Sequence, residues 1–272
     1  MNKKITAMYF SPTGTTRKVV SEIAKKISEK IDKTIVFKEI DFTLPEARKD
    51  PLTFSDEDTA IIGVPVYAGR VPNVLLKYLN TITGNGALAV PVVLYGNRNY
   101  DDALIELKDI LELKGFKVIA GGAFIGEHSF SYILAKNRPD EKDLAMAGDF
   151  ADQISIQIIT KEKIRDLVVN GNIPYRKYYM PKDEEGKPVD MRKVTPKTNS
   201  NCIDCKTCVK VCPMGSIDYE EVVKLNGICI KCGACIKKCP TQAKYYDDQD
   251  YLRHKLELEI GCAERKEPEL FI

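Results

Sequence analysis

The chain has 272 residues and a formal net charge of +2, with 44% hydrophobic and 29% charged residues. These values are ordinary for a globular protein of one or two domains, and a charge so near zero predicts neither nucleic-acid binding nor attraction to a membrane surface. No apolar run approaches the roughly 20 residues that span a bilayer, and strand-like residues follow Met1 too closely for a signal peptide. We therefore expect a cytoplasmic protein.

Strand-like and helix-like segments alternate through the first 165 residues. The predicted strands are Lys4–Phe10, Thr34–Ile40, Thr59–Val64, Ala87–Tyr95 and Lys117–Ile125. The predicted helices are Thr15–Ile31, Val74–Leu79, Asp101–Leu113 with Asp101 as its cap, and Glu141–Ile159. Five strands interleaved with helices predict an α/β domain with an open, doubly wound, five-stranded parallel sheet.

The turn after the first predicted strand combines hydroxyl side chains, a glycine and the start of a helix. Free amides and the dipole at a helix start favour a bound phosphate, although a simple helix cap explains such a turn equally well. The turn matches neither the triphosphate-binding G-x-x-x-x-G-K-[ST] pattern nor the dinucleotide-binding G-x-G-x-x-G pattern. The candidate phosphate ligands are Ser11, Thr13, Gly14, Thr15 and Thr16.

The loops after the third and fourth predicted strands should lie beside this turn, because ligands of open α/β sheets bind at the carboxyl ends of the strands. Each loop carries a glycine and a tyrosine, Tyr67 or Tyr100, whose ring could stack on a flat tricyclic ring. Packing of each tyrosine on the surface is the alternative. The candidate ring-binding residues are Pro65, Val66, Tyr67, Ala68 and Gly69 in one loop and Gly96, Asn97, Arg98, Tyr100 and Asp102 in the other.

This part of the chain resembles a flavodoxin. Its turn is similar to the family's T/S-x-T-G-x-T pattern, with Thr15 where asparagine is commonest. The resemblance implies non-covalently bound FMN, with its phosphate in the turn and its isoalloxazine ring flanked by Tyr67 and Tyr100.

The chain contains two histidines. His128 follows the fifth predicted strand, on the same sheet edge, where it could hydrogen-bond the flavin or carry a proton to a substrate. The alternative is a hydrogen-bonded anchor of its loop. His128 and Tyr100 are the candidate catalytic residues, whereas His254 has the sequence context of a solvated helix residue.

The composition changes after the α/β part. Four prolines, three tyrosines and many charges predict a linker over residues 169–198, with its tyrosines against a domain surface. We predict a flavodoxin-like domain over residues 1–168, a cysteine domain over 199–248, and a tail over 249–272 that begins with a short helix, Tyr251–Ile260.

All nine cysteines lie after residue 200, and such crowding in a reducing compartment indicates metal binding. Two C-x₂-C-x₂-C-x₃-C-P motifs occur 27 residues apart, from Cys202 to Cys229, which predicts pseudo-two-fold symmetry. In such motifs the fourth cysteine binds the other cubane. The predicted ligand sets are Cys202, Cys205, Cys208 and Cys239 for one [4Fe–4S] cluster and Cys229, Cys232, Cys235 and Cys212 for the other.

Structural zinc is the alternative, but zinc sites have no use for three evenly spaced cysteines followed by Cys-Pro. The segment resembles the bacterial two-cluster ferredoxins, a small α+β domain, over about 50 residues. Cys262 is left over, as an apolar filler or a free thiol. With both parts together, the chain resembles the flavodoxin–ferredoxin fusions, and exposed clusters suggest an anaerobic host.

Clusters pass single electrons, whereas a flavin accepts one or two together with protons. The leading hypothesis is an oxidoreductase in which electrons pass between a low-potential carrier, such as a ferredoxin or flavodoxin, and FMN through the clusters. FMN would then reduce a small molecule, and the opposite direction is equally allowed. A pure electron carrier and a redox sensor with structural clusters are the alternatives.

Overall fold

The computed structural model describes residues 4–32, 34–35, 37–160 and 166–272. The strands are β1 (Lys4–Tyr9), β2 (Lys38–Asp41), β3 (Asp58–Pro65), β4 (Leu88–Tyr95), β5 (Lys117–Val118), β6 (Gly121–Ile125), β7 (Lys197–Thr198), β8 (Lys244–Tyr245) and β9 (Glu269–Phe271). The helices are α1 (Thr15–Ile31), α2 (Asn73–Leu79), α3 (Ala103–Leu113), α4 (Glu141–Thr160), α5 (Thr207–Lys210), α6 (Ala234–Lys237) and α7 (Gln249–Gly261). Across these described ranges no helix is both long and apolar enough to cross a bilayer.

The main sheet has the strand order β2-β1-β3-β4-β6-β9, and β5 also pairs with β4. All neighbouring strands from β2 to β6 are parallel. This order, 2-1-3-4-5 when β5 and β6 are counted as one strand, is that of the flavodoxin-like doubly wound fold. The predicted sheet is therefore confirmed. The tail adds a strand that was not predicted, because β9 pairs antiparallel with β6.

Two hydrophobic cores cover the two faces of the sheet. Alternate residues of β1 belong to different cores: Met8 packs with α2 and α3, whereas Ala7 packs with α1 and α4. The central strands are buried almost throughout, as expected of strands covered on both faces. Because both faces are filled by helices, the strand ends are left as the place for a ligand.

The fifth predicted strand is interrupted. β5 and β6 both pair with β4, but their registers differ by one residue. The break lies opposite Pro91, two residues after Ala89, whose carbonyl accepts a hydrogen bond from the Ile119 amide. Proline has no amide hydrogen to donate to the ladder, so the strand bulges there and resumes one residue out of step.

Two other boundaries differ from the predictions. The second strand begins at Lys38 instead of Thr34, and residues 33 and 36 of the predicted segment lie outside the described residues. Helix α3 begins at Ala103, so Asp101 is not its cap. Asp101 instead has a φ of 46° in the loop before the helix and forms an ion pair with Arg98.

The linker packs along the edge of the α/β domain as predicted. Tyr175 and Tyr178 stack against the Arg70 guanidinium, which forms a 2.7 Å ion pair with Glu106. Asp102 is fully buried and accepts hydrogen bonds from the Arg176 amide and side chain. The linker is therefore held by buried polar contacts as well as by aromatic packing.

The two cysteine motifs have the same backbone geometry, which confirms the predicted internal repeat. Helix α5 of the first motif and helix α6 of the second lie 27 residues apart, at Thr207–Lys210 and Ala234–Lys237. Residues with a positive φ recur at the same interval, at Asp204, Lys206 and Gly215 and again at Lys231, Gly233 and Gln242. The cysteines of each motif are therefore presented by equivalent loops.

The contact between β9 and the loop after β4 should contribute measurably to stability. The hydroxyl of buried Tyr100 donates to Glu269 at 2.6 Å. Glu269→Ala leaves this hydroxyl without its acceptor, so we expect the free energy of unfolding to fall by about 1–3 kcal/mol in urea titrations. Glu267→Ala, which removes an exposed ion pair with Arg265, is the control and should have a much smaller effect. Equal effects would contradict this role of Glu269.

Candidate functional site

Four cysteines from both motifs line one small cavity of about 20 Å³ in the cysteine domain. They are Cys212 of the first motif and Cys229, Cys232 and Cys235 of the second. This is the set that the crossed spacing predicts for one cluster. The cavity wall is otherwise largely apolar and includes Ile217, Ile228, Ile230 and Tyr246.

The other four cysteines lie outside the lining of this cavity. Cys208 is buried, Cys202 and Cys239 are half-buried and Cys205 is exposed. All nine thiols are free of disulfides. In the part of the chain that the structure describes, no three His, Cys, Asp or Glu side chains converge on a single-ion site.

Backbone amides and burial both act on the thiols. The Ser216 amide donates to Cys212 Sγ at 3.4 Å, and the Ala243 amide donates to Cys239 Sγ at 3.2 Å, in equivalent places of the two motifs. Burial, followed by the charges of Cys212 and Cys229, raises the pKa of Cys232 to about 12. A thiolate is costly there without a compensating cation, so the donor set fits iron, which binds thiolates.

A second, larger cavity of about 610 Å³ lies where the α/β domain, linker, cysteine domain and α7 meet. Its volume is within the usual range of ligand cavities, about 300–1,000 Å³. The lining comes from six parts of the chain: Val66–Gly69 with Asn73, Tyr95–Gly96 with Arg98–Asn99, His128–Phe130, Tyr178–Pro181 with Pro188–Arg192, Ile230–Lys231, and His254 with Leu258. It therefore occupies the sheet edge at which a ring-binding site was predicted.

The candidate ring-binding residues divide between this cavity and the surrounding structure. Val66, Tyr67, Ala68, Gly69, Gly96, Arg98 and His128 line it. Tyr67 is close enough to the cysteine domain that, after burial, the charges of Cys232 and Cys229 raise the pKa of its hydroxyl. Gly96 is required where it stands, because a Cβ there would overlap the His128 ring.

Tyr100, Asn97, Asp102 and Pro65 lie outside the lining of this cavity. Tyr100 is covered by β9 and packs on Tyr95, whose ring does line the cavity. Asn97 donates to the carbonyls of Cys262 and Glu264 in the tail. Asp102 holds the linker. The contacts that turn these three side chains away come from segments far along the chain. Pro65 is the last residue of β3.

The predicted phosphate turn lies beside the large cavity and outside its lining. Gly14 precedes α1 with a φ of 93°, and no side chain caps the helix at that residue. The turn is braced by Ser11, whose Oγ accepts from the Arg17 amide at 3.0 Å and whose amide donates to Thr43 Oγ1 at 2.8 Å. Thr15 contacts Gly126, two residues before His128. A helix start of this kind suits an anion.

His128 is held neutral with a defined tautomer. Burial, followed by the positive charges of Lys237, His254 and Arg98, lowers its pKa to about 4. Its Nδ1 accepts a 3.1 Å hydrogen bond from the Phe130 amide, so the ring proton is on Nε2. His128 is therefore a hydrogen-bond donor in the wall of the cavity at neutral pH.

His254 was predicted to be a solvated residue, and this prediction is wrong. Its side chain is only 7% exposed and lines the large cavity. The ring packs on Tyr179 of the linker, with 5.8 Å between centroids, and Nδ1 lies 3.3 Å from Glu257 Oε2. The sequence of α7 is that of an ordinary amphipathic helix and does not indicate a buried histidine. The tyrosines of the linker were the one sequence feature that indicated a packed surface at this helix.

The two cavities share a wall. Ile230, between Cys229 and Cys232, lines both of them. Next to it, Gly233 packs on the loop after β6 so closely that a Cβ would lie 2.6 Å from the Ser129 carbonyl oxygen. A ligand of the large cavity is therefore separated from the four-cysteine cavity by the thickness of one loop.

A family model described as a 4Fe-4S dicluster domain matches residues 170–253. The chain is similar in structure to a flavodoxin from the domain Archaea (16% identity, TM-score 0.41), with 57% of this chain and 99% of that chain covered. It is also similar to a Fusobacterium nucleatum flavodoxin variant bound to flavin mononucleotide (21%, TM-score 0.37), over 60% of this chain and 99% of that chain. For rubredoxin oxygen:oxidoreductase from Desulfovibrio gigas (15%, TM-score 0.42) the coverages are 58% and 37%.

The search of curated proteins returned no match. Strand order and the matched family together define the class: the chain joins a flavodoxin-like α/β domain to a 4Fe–4S dicluster domain.

The buried neutral histidines should make stability depend on pH. The pKa of His128 in the folded protein, about 4, is below its ordinary value, so between about pH 6.5 and pH 4 only the unfolded chain binds this proton. We expect the free energy of unfolding to decrease by about 1–2 kcal/mol as the pH falls from 7 to 5, measured by anaerobic urea titration. His128→Asn should show a shallower decrease, and an unchanged pH dependence would contradict a neutral His128.

The buried carboxylate of Asp102 should hold the linker in place. Its hydrogen bonds to Arg176, and then those to Asn172, lower its pKa. Asp102→Ala removes them all, so we expect trypsin to cut within residues 176–193 at least tenfold faster. Asp152→Ala, which removes an exposed ion pair between α4 and Lys30 of α1, is the matched control and should be cut like the wild type. Equal rates in all three proteins would show that Asp102 is not the anchor.

Proposed function

We propose that the protein is an oxidoreductase that holds one FMN and two [4Fe–4S] clusters and passes single electrons between a low-potential carrier and FMN, which reduces a small molecule. The observation that carries this proposal is the wall shared by the two cavities at Ile230. Clusters supply one-electron transfer and FMN supplies the conversion between one-electron and two-electron chemistry. The chain supplies distance, burial and proton-handling groups.

Cluster order follows from the position of the ligand sets. Cys212, Cys229, Cys232 and Cys235 would hold the cluster nearer to the flavin, because their cavity adjoins the large one. The remaining four cysteines would hold the outer cluster, and among them Cys205 is exposed. An external carrier would therefore exchange electrons at the outer cluster.

The large cavity suits the isoalloxazine ring. Tyr67 and Tyr95 supply aromatic walls, and the backbone of Ala68, Gly69 and Gly96 offers polar groups close to the ring. The turn Ser11–Thr16 would hold the phosphate at the start of α1. The chemistry of these residues fits the group, although FMN itself is an inference from the fold and the turn.

The linker encloses the cavity, which favours a small-molecule reaction over direct contact between the flavin and a second protein. The Tyr179 amide donates to the Ala68 carbonyl at 2.9 Å, and the Tyr178 hydroxyl donates to the Val71 carbonyl at 2.8 Å. Through both contacts the linker covers the loop after β3 on its outer side. A pure electron carrier would gain nothing from such a cover.

Anaerobic reconstitution tests this function directly. We expect about eight irons, about eight sulfides and one flavin per chain, and flavin reduction in a stopped-flow experiment with a reduced low-potential ferredoxin. Zinc in place of iron, or an oxidised flavin beside reduced clusters, would contradict the proposal.

Cysteine variants should separate the two clusters. Cys232→Ala should lose about four irons and abolish flavin reduction, whereas Cys205→Ala should lose the other cluster and chiefly slow electron entry from the carrier. Cys262→Ser is the control, because this thiol belongs to neither motif and should keep all iron. If Cys205→Ala removed the cluster that reduces the flavin, the order proposed above would be reversed.

A further inference from the structure

Both histidines of the chain line the same cavity. His128 reaches it from the loop after β6, and His254 reaches it from α7 beyond the cysteine domain. Segments this far apart in the chain bring the only two imidazoles of a 272-residue protein to one ligand cavity. Imidazole is the side chain best suited to proton transfer near neutral pH.

The two rings have different second partners. The Nδ1 of His128 is occupied by a backbone amide, which leaves its Nε2–H as a fixed donor. The Nδ1 of His254 instead faces the Glu257 carboxylate, whose side chain is 50% exposed. His254 can therefore hold one proton on Nδ1 against a carboxylate while Nε2 carries a second, whereas the Nδ1 of His128 already accepts from an amide.

The charges around His254 oppose its protonation in the resting protein. Burial, with Arg98 from the loop after β4 and Arg253 from α7, lowers its pKa, and Glu257 acts in the opposite direction. The other titratable groups facing it are His128 across the cavity and Tyr179 of the linker. Negative charge arriving in the cavity would reverse this balance and draw a proton to His254.

We propose that the large cavity contains a subsite between the flavin ring and α7 for a small molecule with an electron-poor double bond, and that His254, whose imidazolium is stabilised by Glu257, is its proton donor. This inference rests on the function proposed above. The volume of 610 Å³ accommodates a ring together with a second small molecule, and the subsite wall consists of His254, Tyr179 and Leu258.

The step balances in electrons and protons. One end of the double bond receives a hydride equivalent from the reduced flavin, the other end receives the proton of the His254 imidazolium, and the π bond is lost. His254 is left as a neutral imidazole with its proton on Nδ1, facing Glu257. Water that enters after the product leaves returns a proton to Nε2, and the carrier replaces two electrons through the clusters.

The first readout is proton uptake when the flavin of the holo-protein is photoreduced, followed with a pH indicator in weak buffer from pH 5 to 9. We expect a pH-dependent component in the wild type that is lost in His254→Asn and shifted to lower pH in Glu257→Gln, which removes the carboxylate that favours the imidazolium. Leu256→Ser, on the exposed face of α7 at 55% exposure, is the matched control. Identical uptake in His254→Asn and wild type would overturn the inference.

The second readout is reoxidation of the reduced flavin by a small benzoquinone, an acceptor of two electrons and two protons. We expect reoxidation at least tenfold slower in His254→Asn, with loss of the solvent deuterium isotope effect and partial rescue by added imidazole. Equal rates and isotope effects in the two proteins would show that His254 is not the donor. Failure of the wild type to bind flavin would instead overturn the proposed function, so the two failures are distinguishable.

Discussion

The architecture depends on one contact: the cysteine loop around Ile230 and Gly233 packs directly on the loops at the carboxyl edge of the main sheet. Gly233 approaches Ser129 more closely than any side chain would allow, and Ile230 belongs to the walls of both cavities. Lys237 of α6 strengthens the contact through hydrogen bonds to Glu127 and the Ser131 carbonyl. Without it, the two domains would be separate modules on one chain.

The linker and the tail hold this contact from two sides. Asp102 and Arg70 bind the linker to the α/β domain before the cysteine domain begins. After the cysteine domain, α7 closes the cavity and β9 joins the main sheet. The dicluster domain is thus inserted between two segments that both return to the same sheet edge, which fixes its orientation more firmly than a single tether would.

The repeated cysteine loops and the sheet were predictable because their signals are local. Three cysteines in nearly successive turns of one loop present their thiols to one point whatever surrounds them, and apolar runs such as Thr59–Val64 specify buried strands by composition alone. The positions of Tyr100 and Asp102 outside the cavity were not predictable for the opposite reason. Which residues of a loop face a cavity depends on what covers the loop, and Glu269 and Arg176 do so from distant segments. The sequence shows Pro91 within the fourth predicted strand. Whether this proline interrupts the neighbouring strand depends on which edge of β4 its backbone nitrogen faces, and the sequence does not show that.

The amino-acid sequence by itself determined the alternation of strands and helices, the repeated cysteine motif and the phosphate-type turn, because each is written in residues that are neighbours along the chain. Only the tertiary structure decided that the linker and α7 enclose the cavity, that a cavity lined by four cysteines adjoins it, and that a residue with the sequence context of a solvated histidine belongs to its wall. Those arrangements arise from packing between segments more than 100 residues apart, such as His128 and His254, and no periodicity or spacing within either segment encodes them.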